Sequence, residues 1–213
     1  VSVMAHHSFH GGMAMAMLMY SALEGSSKIS PEGHIEDTRF RAAIEEIAQG
    51  QAWGSMDITE PDAGSDMGAM RCRGTLHEDG RWTVDGQKIF ITSGHGKYHF
   101  VIARTDEPDP ENTLTGLSLF LVNSYRADGS RQVQVERLEE KLGHHASATV
   151  ALRYDNAEAE LIGERGQGFR QMLLLMNNAR IGVGFECLGL CESALRMARE
   201  YAAQRPSMGK TID

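Results

Sequence analysis

Two short segments concentrate polar chemistry in a form that irregular backbone can use. The first is Thr59-Glu60-Pro61-Asp62-Ala63-Gly64-Ser65-Asp66. Pro61 and Gly64 fix a non-repeating backbone, Thr59 and Ser65 offer hydroxyls, and successive N–H groups are left to meet a polar ligand. The same composition also fits a plain Asx or Ser turn. The second is Ile89-Phe90-Ile91-Thr92-Ser93-Gly94, a strand pattern ending in hydroxyls and glycine. Alone, it is open to the same two readings.

Other candidates carry less. His6-His7 and His144-His145 are adjacent, so on regular structure their rings point apart, and no metal site is expected. Gly163, Gly166 and Gly168 lack the dinucleotide-binding spacing and follow no buried parallel strand. Gly94-His95-Gly96-Lys97 lacks the upstream glycine and the following Ser or Thr of a phosphate loop. Three cysteines, Cys72, Cys187 and Cys191, are too scattered for a disulfide framework and favour a reducing compartment. Cys187 and Cys191, four apart on an expected helix, read as small core residues.

The elements that must position these segments fall into three regions. Residues 1–51 read as helical, with Phe40, Ile44, Ile47 and Ala48 on one stripe and a break at 26–33. Residues 52–160 read as short strands: Asp79-Gly80 and Asp85-Gly86 as turns, then runs at 82–84, 88–92, 100–104, 117–122, 133–138 and 149–154. The helical period returns within 161–213, with Phe169, Met172, Leu173, Met176 and Arg180 on one face. Leu188, Cys191, Leu195, Ala198 and Tyr201 share another. Strands grouped between helices define an α+β fold: a helical segment, a central antiparallel sandwich or barrel, and the start of a helical bundle.

Composition is consistent with that architecture. Of 213 residues, 41% are hydrophobic and 23% charged, enough for a packed core. The 21 basic and 29 acidic residues give a net charge of −8, against a nucleic-acid partner. No charged side chain precedes Glu24, but three histidines and two glycines leave only 13–20 as a clean apolar run. A buried helix is expected there, and no membrane span. With no initiator Met and no closing element after Arg205, the chain reads as an internal fragment.

Together the two polar segments resemble the acyl-CoA dehydrogenase family, whose usual forms are TEPxAGSD and a strand ending W-I-T-N-G. Here TEPDAGSD precedes DGQKIFITSG by about 20 residues. The resemblance continues through Lys141-Leu142-Gly143 with Ser147, LIGERGQGF at 161–169, Arg180-Ile181-Gly182 and RPSMGK at 205–210. The stretch MNNARIGVGFECLGL is similar to the long bacterial branch. The resemblance implies FAD, an acyl-CoA substrate and α,β-dehydrogenation of fatty-acid β-oxidation type. It also implies an electron-transferring flavoprotein as acceptor and a homodimer or homotetramer when intact. The compartment would be the cytoplasm of a bacterium or a mitochondrial matrix.

Residue by residue, it implies flavin contacts from Met56, Ile58, Thr59, Gly64, Ser65, Phe90, Ile91 and Thr92. Arg205 and Ser207 would reach a neighbouring subunit's FAD, and Ser65, Asn177 and Arg180 would meet acyl-CoA. Four positions depart from the family pattern: Asp62 replaces glycine, Met56 an aromatic residue, Phe90 a tryptophan and Pro206 a helical residue. No catalytic base is assigned. Most of the family carries a glutamate beyond this point, and a minority places it where Ala179 stands. The fragment itself is therefore expected to be inactive. Two other readings share the scaffold: an acyl-CoA oxidase using O₂, and a non-catalytic flavin- or DNA-associated member.

Overall fold

The computed structural model describes residues 2–212, with side chains described from residue 11 onward. Helix α1 (Ser2–Leu23) buries Met13, Ala16, Met17 and Tyr20, which recur at three- and four-residue spacing on one face. The uncharged stretch is thus a core helix, and among the described residues no helix is long and apolar enough to cross a membrane. The side chains of His6, His7 and His10 lie outside the described ones. At the expected break, β1 (Lys28–Ile29) and β2 (Ile35–Asp37) form a small antiparallel hairpin. Helix α2 (Arg41–Ala48) buries Ala43 and Ile47 beside Phe40, whereas Ala48 faces solvent, so the stripe is displaced from its expected position.

Seven strands follow in one sheet: β3 (Gly54–Asp57), β4 (Arg73–Leu76), β5 (Trp82–Thr92), β6 (Tyr98–Arg104), β7 (Leu117–Asn123), β8 (Val133–Leu138) and β9 (Thr149–Ile162). The order is β3-β6-β4-β5-β9-β7; β7 pairs back to β6, and β8 lies on β9. The sheet therefore closes on itself as a barrel. Most pairings are antiparallel, as expected, but β6 runs parallel to both β3 and β4. Val84, Val101, Phe120, Val122 and Leu152 fill the interior. Each such side chain contributes about 1.5–3 kcal/mol on burial.

The Asp85-Gly86 turn expected from sequence is not a turn. Both residues lie inside β5, opposite a bulge where β9 carries one extra residue. Asp85 accepts the Asn156 N–H there at 3.3 Å, and Asn156 takes φ 45°. Gly86 is required because a Cβ would stand 2.8 Å from the Cys72 Cα. Asp79-Gly80 does turn the chain, with Gly80 at φ 85°.

Helix α3 runs from Gly168 to Gln204. A Cβ on Gly168 would lie 2.3 Å from the Ser118 carbonyl carbon, so only glycine lets the helix start this close to β7. Residues 1–175 form one compact unit and 176–213 a second. In the first, Met172 and Leu175 are buried. In the second, Pro206 follows the helix end, and β10 (Pro206–Ser207) pairs with β11 (Lys210–Thr211). Met208 and Gly209 both take positive φ, as a two-residue hairpin turn of this hand requires. The expected second core face is exposed: Leu188, Cys191, Leu195 and Tyr201 all face solvent, as does Cys187. The two cysteines are therefore not core residues in this chain. Helical periodicity placed them on one face but carried no information on what that face meets.

Candidate functional site

The barrel brings the two polar segments together. Strand β3 runs directly into Ile58 and Thr59, and the Ile89 N–H donates to the Thr59 carbonyl at 2.8 Å. One residue earlier, Lys88 turns inward and is fully buried. Its Nζ donates to the Ile58 carbonyl at 2.9 Å and to Glu60 Oε1 at 2.8 Å. Glu60 also accepts the Arg71 N–H at 2.6 Å and the Cys72 N–H at 3.2 Å. A buried charge pair survives only with such complete hydrogen bonding, and removing one partner typically costs about 3–5 kcal/mol. The Glu60 side chain thereby staples the loop 60–72 to β5.

Immediately beyond Lys88, β5 carries one residue more than β9 opposite it. Phe90 absorbs the extra length at φ 59° and projects outward, 60% exposed. A left-handed backbone costs a non-glycine residue roughly 1–2 kcal/mol, and large exposed aromatics held by such strain mark functional positions. Ile91 returns to the core, Thr92 is half-buried, and Ser93 is again left-handed at φ 61°. Thr59 is half-buried too, while Gly64 and Ser65 are exposed. Among the described residues, the hydroxyls of Thr59, Ser65 and Thr92 have no hydrogen-bond partner. Arg104 braces the neighbouring loops through the carbonyls of Met70, Gly68, Thr113 and Thr115.

Beneath β3 lies a cluster that sequence reasoning missed. Ser55, Asp57, His99 and Ser124 are fully buried, with Tyr154 beside them. His99 Nδ1 is 2.8 Å from Ser55 Oγ and 2.9 Å from Asp57 Oδ2, and Nε2 is 2.8 Å from Ser124 Oγ. Tyr154 donates its hydroxyl to the same Asp57 oxygen. Burial, then the Asp57 charge, hold the Tyr154 hydroxyl well above its ordinary value. Burial likewise pushes the Cys72 thiol up to about 12, against the opposing pull of Lys88. Ser, His and Asp here do not form a nucleophile relay, because Ser55 and Asp57 share one ring nitrogen and no atom of the set reaches solvent. A single histidine inside the apolar run 98–104 was the available signal.

In the second unit, Arg180 Nη1 donates to Asn177 Oδ1 at 3.0 Å on the exposed face of α3. Arg205 and Ser207 flank the start of the β10–β11 hairpin, both exposed. Ala179, half-buried, offers no carboxylate. The described residues hold no cluster of three metal-ligating side chains.

In the first unit, an exposed aromatic face, free hydroxyls and a polar glycine loop belong to the two segments that the Ile89–Thr59 hydrogen bond joins. Such an edge can take a flat, polar-rimmed ring. The comparisons define the class. Residues 55–157 match the acyl-CoA dehydrogenase middle domain and 166–213 the acyl-CoA dehydrogenase C-terminal domain. The 3-methylmercaptopropionyl-CoA dehydrogenase of Ruegeria pomeroyi is 33% identical over 95% of this chain and 39% of its own length. Butyryl-CoA dehydrogenase of Megasphaera elsdenii superposes with a TM-score of 0.68 at 32% identity, covering 79% of this chain and 43% of that one. A chain in the solved structure of the electron transferring flavoprotein of Acidaminococcus fermentans gives 0.68 at 31%, covering 81% and 44%. This chain belongs to the acyl-CoA dehydrogenase family, and it spans about two fifths of the length of these relatives.

Proposed function

We propose that the chain forms the flavin edge and part of the acyl-CoA site of an FAD-dependent acyl-CoA dehydrogenase. The observation that carries this is the joining of the two hydroxyl-bearing segments through the Ile89–Thr59 hydrogen bond and the Lys88–Glu60 pair. The residues fit the group: Phe90 supplies an apolar face, and Thr59 and Thr92 supply unspent hydroxyls. Met56, Ile58, Gly64, Ser65 and Ile91 complete the proposed flavin contacts. When bound, FAD supplies the acceptor for the hydride that leaves the substrate β-carbon. The barrel's part is to hold that acceptor rigidly and to keep water from it.

In the second unit, Asn177 and Arg180 are proposed to contact acyl-CoA, and Arg205 and Ser207 to serve a second subunit's FAD; in the first unit, Ser65 is likewise proposed as a substrate contact. Residues 1–51, 52–160 and 161–213 would then be the end of a helical domain, the central β-domain and the start of the helical bundle. The solved structure from Acidaminococcus fermentans supports an electron-transferring flavoprotein as acceptor. A homodimer or homotetramer, in a bacterial cytoplasm or a mitochondrial matrix, accords with this reading. Removal of the α-proton falls to a carboxylate outside these residues.

The test is to purify the intact protein and titrate it anaerobically with acyl-CoAs of increasing chain length. A yellow protein bleached by one of them supports the reading, and a colourless protein that takes up no added FAD overturns it. Rapid reoxidation by O₂ would move the assignment from dehydrogenase to oxidase.

A further inference from the structure

We propose that His99 carries a proton on both ring nitrogens and, paired with Asp57, acts as the positioning residue that sets strand β3. The protons can be placed from geometry. Ser124 Oγ donates its one proton to the Gly96 carbonyl at 2.7 Å. At 2.8 Å from His99 Nε2 it can therefore only accept, so Nε2 bears a proton. On the other side, Nδ1 faces Asp57 Oδ2 at 2.9 Å, and that oxygen already accepts from Tyr154. Ser55 Oγ, 2.8 Å from the same nitrogen, could donate to a bare Nδ1, but that would still set the Nδ1 lone pair against an ionised Asp57; a proton on Nδ1 turns the contact into a charge-assisted hydrogen bond.

Charge balance points the same way. Asp57 is fully buried and its Oδ1 has no hydrogen-bond partner. An uncompensated carboxylate there would be prohibitive. Lys88 is committed to Glu60, and Tyr154 and Cys72 are both held in their proton-bearing forms. For an ionised Asp57, that leaves His99 as the compensating cation within the cluster, and a neutral pair would show a single protonated ring nitrogen.

Side chains alternate along a strand, so Ser55 and Asp57 face the cluster while Met56 and Ile58 take the opposite face. Locking Asp57 to His99 thus fixes the rotation of β3 and the direction in which Met56 and Ile58 point. The link from strand to flavin rests on the proposed function; the ion pair does not.

The test uses the protein labelled with 15N-histidine at pH 7.5, with His99 assigned by the signal lost in His99→Gln. Both His99 ring nitrogens should show protonated resonances. Tyr154→Phe should keep that signature. Asp57→Asn should reduce it to Nε2–H alone, speed amide exchange along Gly54–Asp57 by at least about tenfold, and weaken FAD binding by about tenfold. A single protonated nitrogen in the wild type overturns the proposal. So does Asp57→Asn with unchanged strand exchange. If the wild type binds no FAD, the flavin reading fails while the ring and exchange results still decide this one.

Discussion

The barrel and the far part of α3 distribute their residues in opposite ways. In the barrel, Lys88, Glu60, Asp57 and His99 are inside: Lys88 and Glu60 pair with each other and with backbone groups, and Asp57 and His99 meet each other and the side chains of Ser55, Ser124 and Tyr154. On α3 beyond Met176, Phe185, Leu188 and Met197 are 71%, 64% and 68% exposed. The barrel closes from its own strands and can hold buried ionisable groups because their partners lie within the same unit. The helix carries an apolar pattern that this chain leaves uncovered. Periodicity alone does not separate the two cases: an apolar stripe reports that a face is suited to burial, and a strand position reports a side, but neither names the neighbour.

The contrast can be tested from its strongest point. Lys88→Met removes one partner of the buried pair and leaves Glu60 unmatched, so unfolding free energy should fall by about 3–5 kcal/mol in urea denaturation. Replacing Glu60 by Gln in the same background should restore part of that loss, because a neutral amide oxygen can still accept the Arg71 and Cys72 N–H groups. A single substitution costing under 1 kcal/mol would show that water reaches the pair.

Thr92→Val in the intact protein should slow flavin reduction by about 10²–10³ with little change in CoA affinity, since its hydroxyl is proposed to act as charge develops on the ring. Stopped-flow bleaching reads this, and a rate within about twofold of wild type would reduce Thr92 to a strand end. Phe90→Gly should stabilise the fold by up to about 1 kcal/mol by relieving the left-handed backbone, while weakening FAD binding. Greater stability together with unchanged FAD affinity would leave the strain without a functional reason.

The smallest effect belongs to the helix. Leu188→Gln should change stability by less than about 0.5 kcal/mol, because its side chain meets little in this chain. It should also reduce self-association on size-exclusion chromatography, where exposed apolar surface makes the chain adhesive. A loss of several kcal/mol would show that this face is packed.

Much of the fold was legible. The run 133–138 coincides with β8, and the β-branched runs from 100 and 117 became β6 and β7 with boundaries displaced by one or two residues. Strands β3 and β4 were not legible, because Gly-Ser-Met-Asp and Arg-Gly-Thr-Leu show no β-branched alternation. Their burial comes from a polar cluster and from Phe120, whose ring would stand 2.6 Å from a Cβ at Gly74. At the site, hydroxyls and glycines marked the edge correctly as a place of irregular backbone. The scaffold behind it stayed hidden, since a lysine in a strand and an aspartate beside a turn both read as outward-facing. Only three-dimensional pairing reveals that Lys88 reaches Glu60 and that His99 reaches Asp57.

The central claim is that the strand ends joined by the Ile89–Thr59 hydrogen bond form a flavin-binding edge. The most direct measurement is to titrate FAD into 15N-labelled protein and follow the backbone amides. The largest shifts should fall on Ile58, Thr59, Phe90, Ile91 and Thr92, with Gly64 and Ser65 following. FAD binding that leaves those amides unmoved and shifts others instead would contradict it.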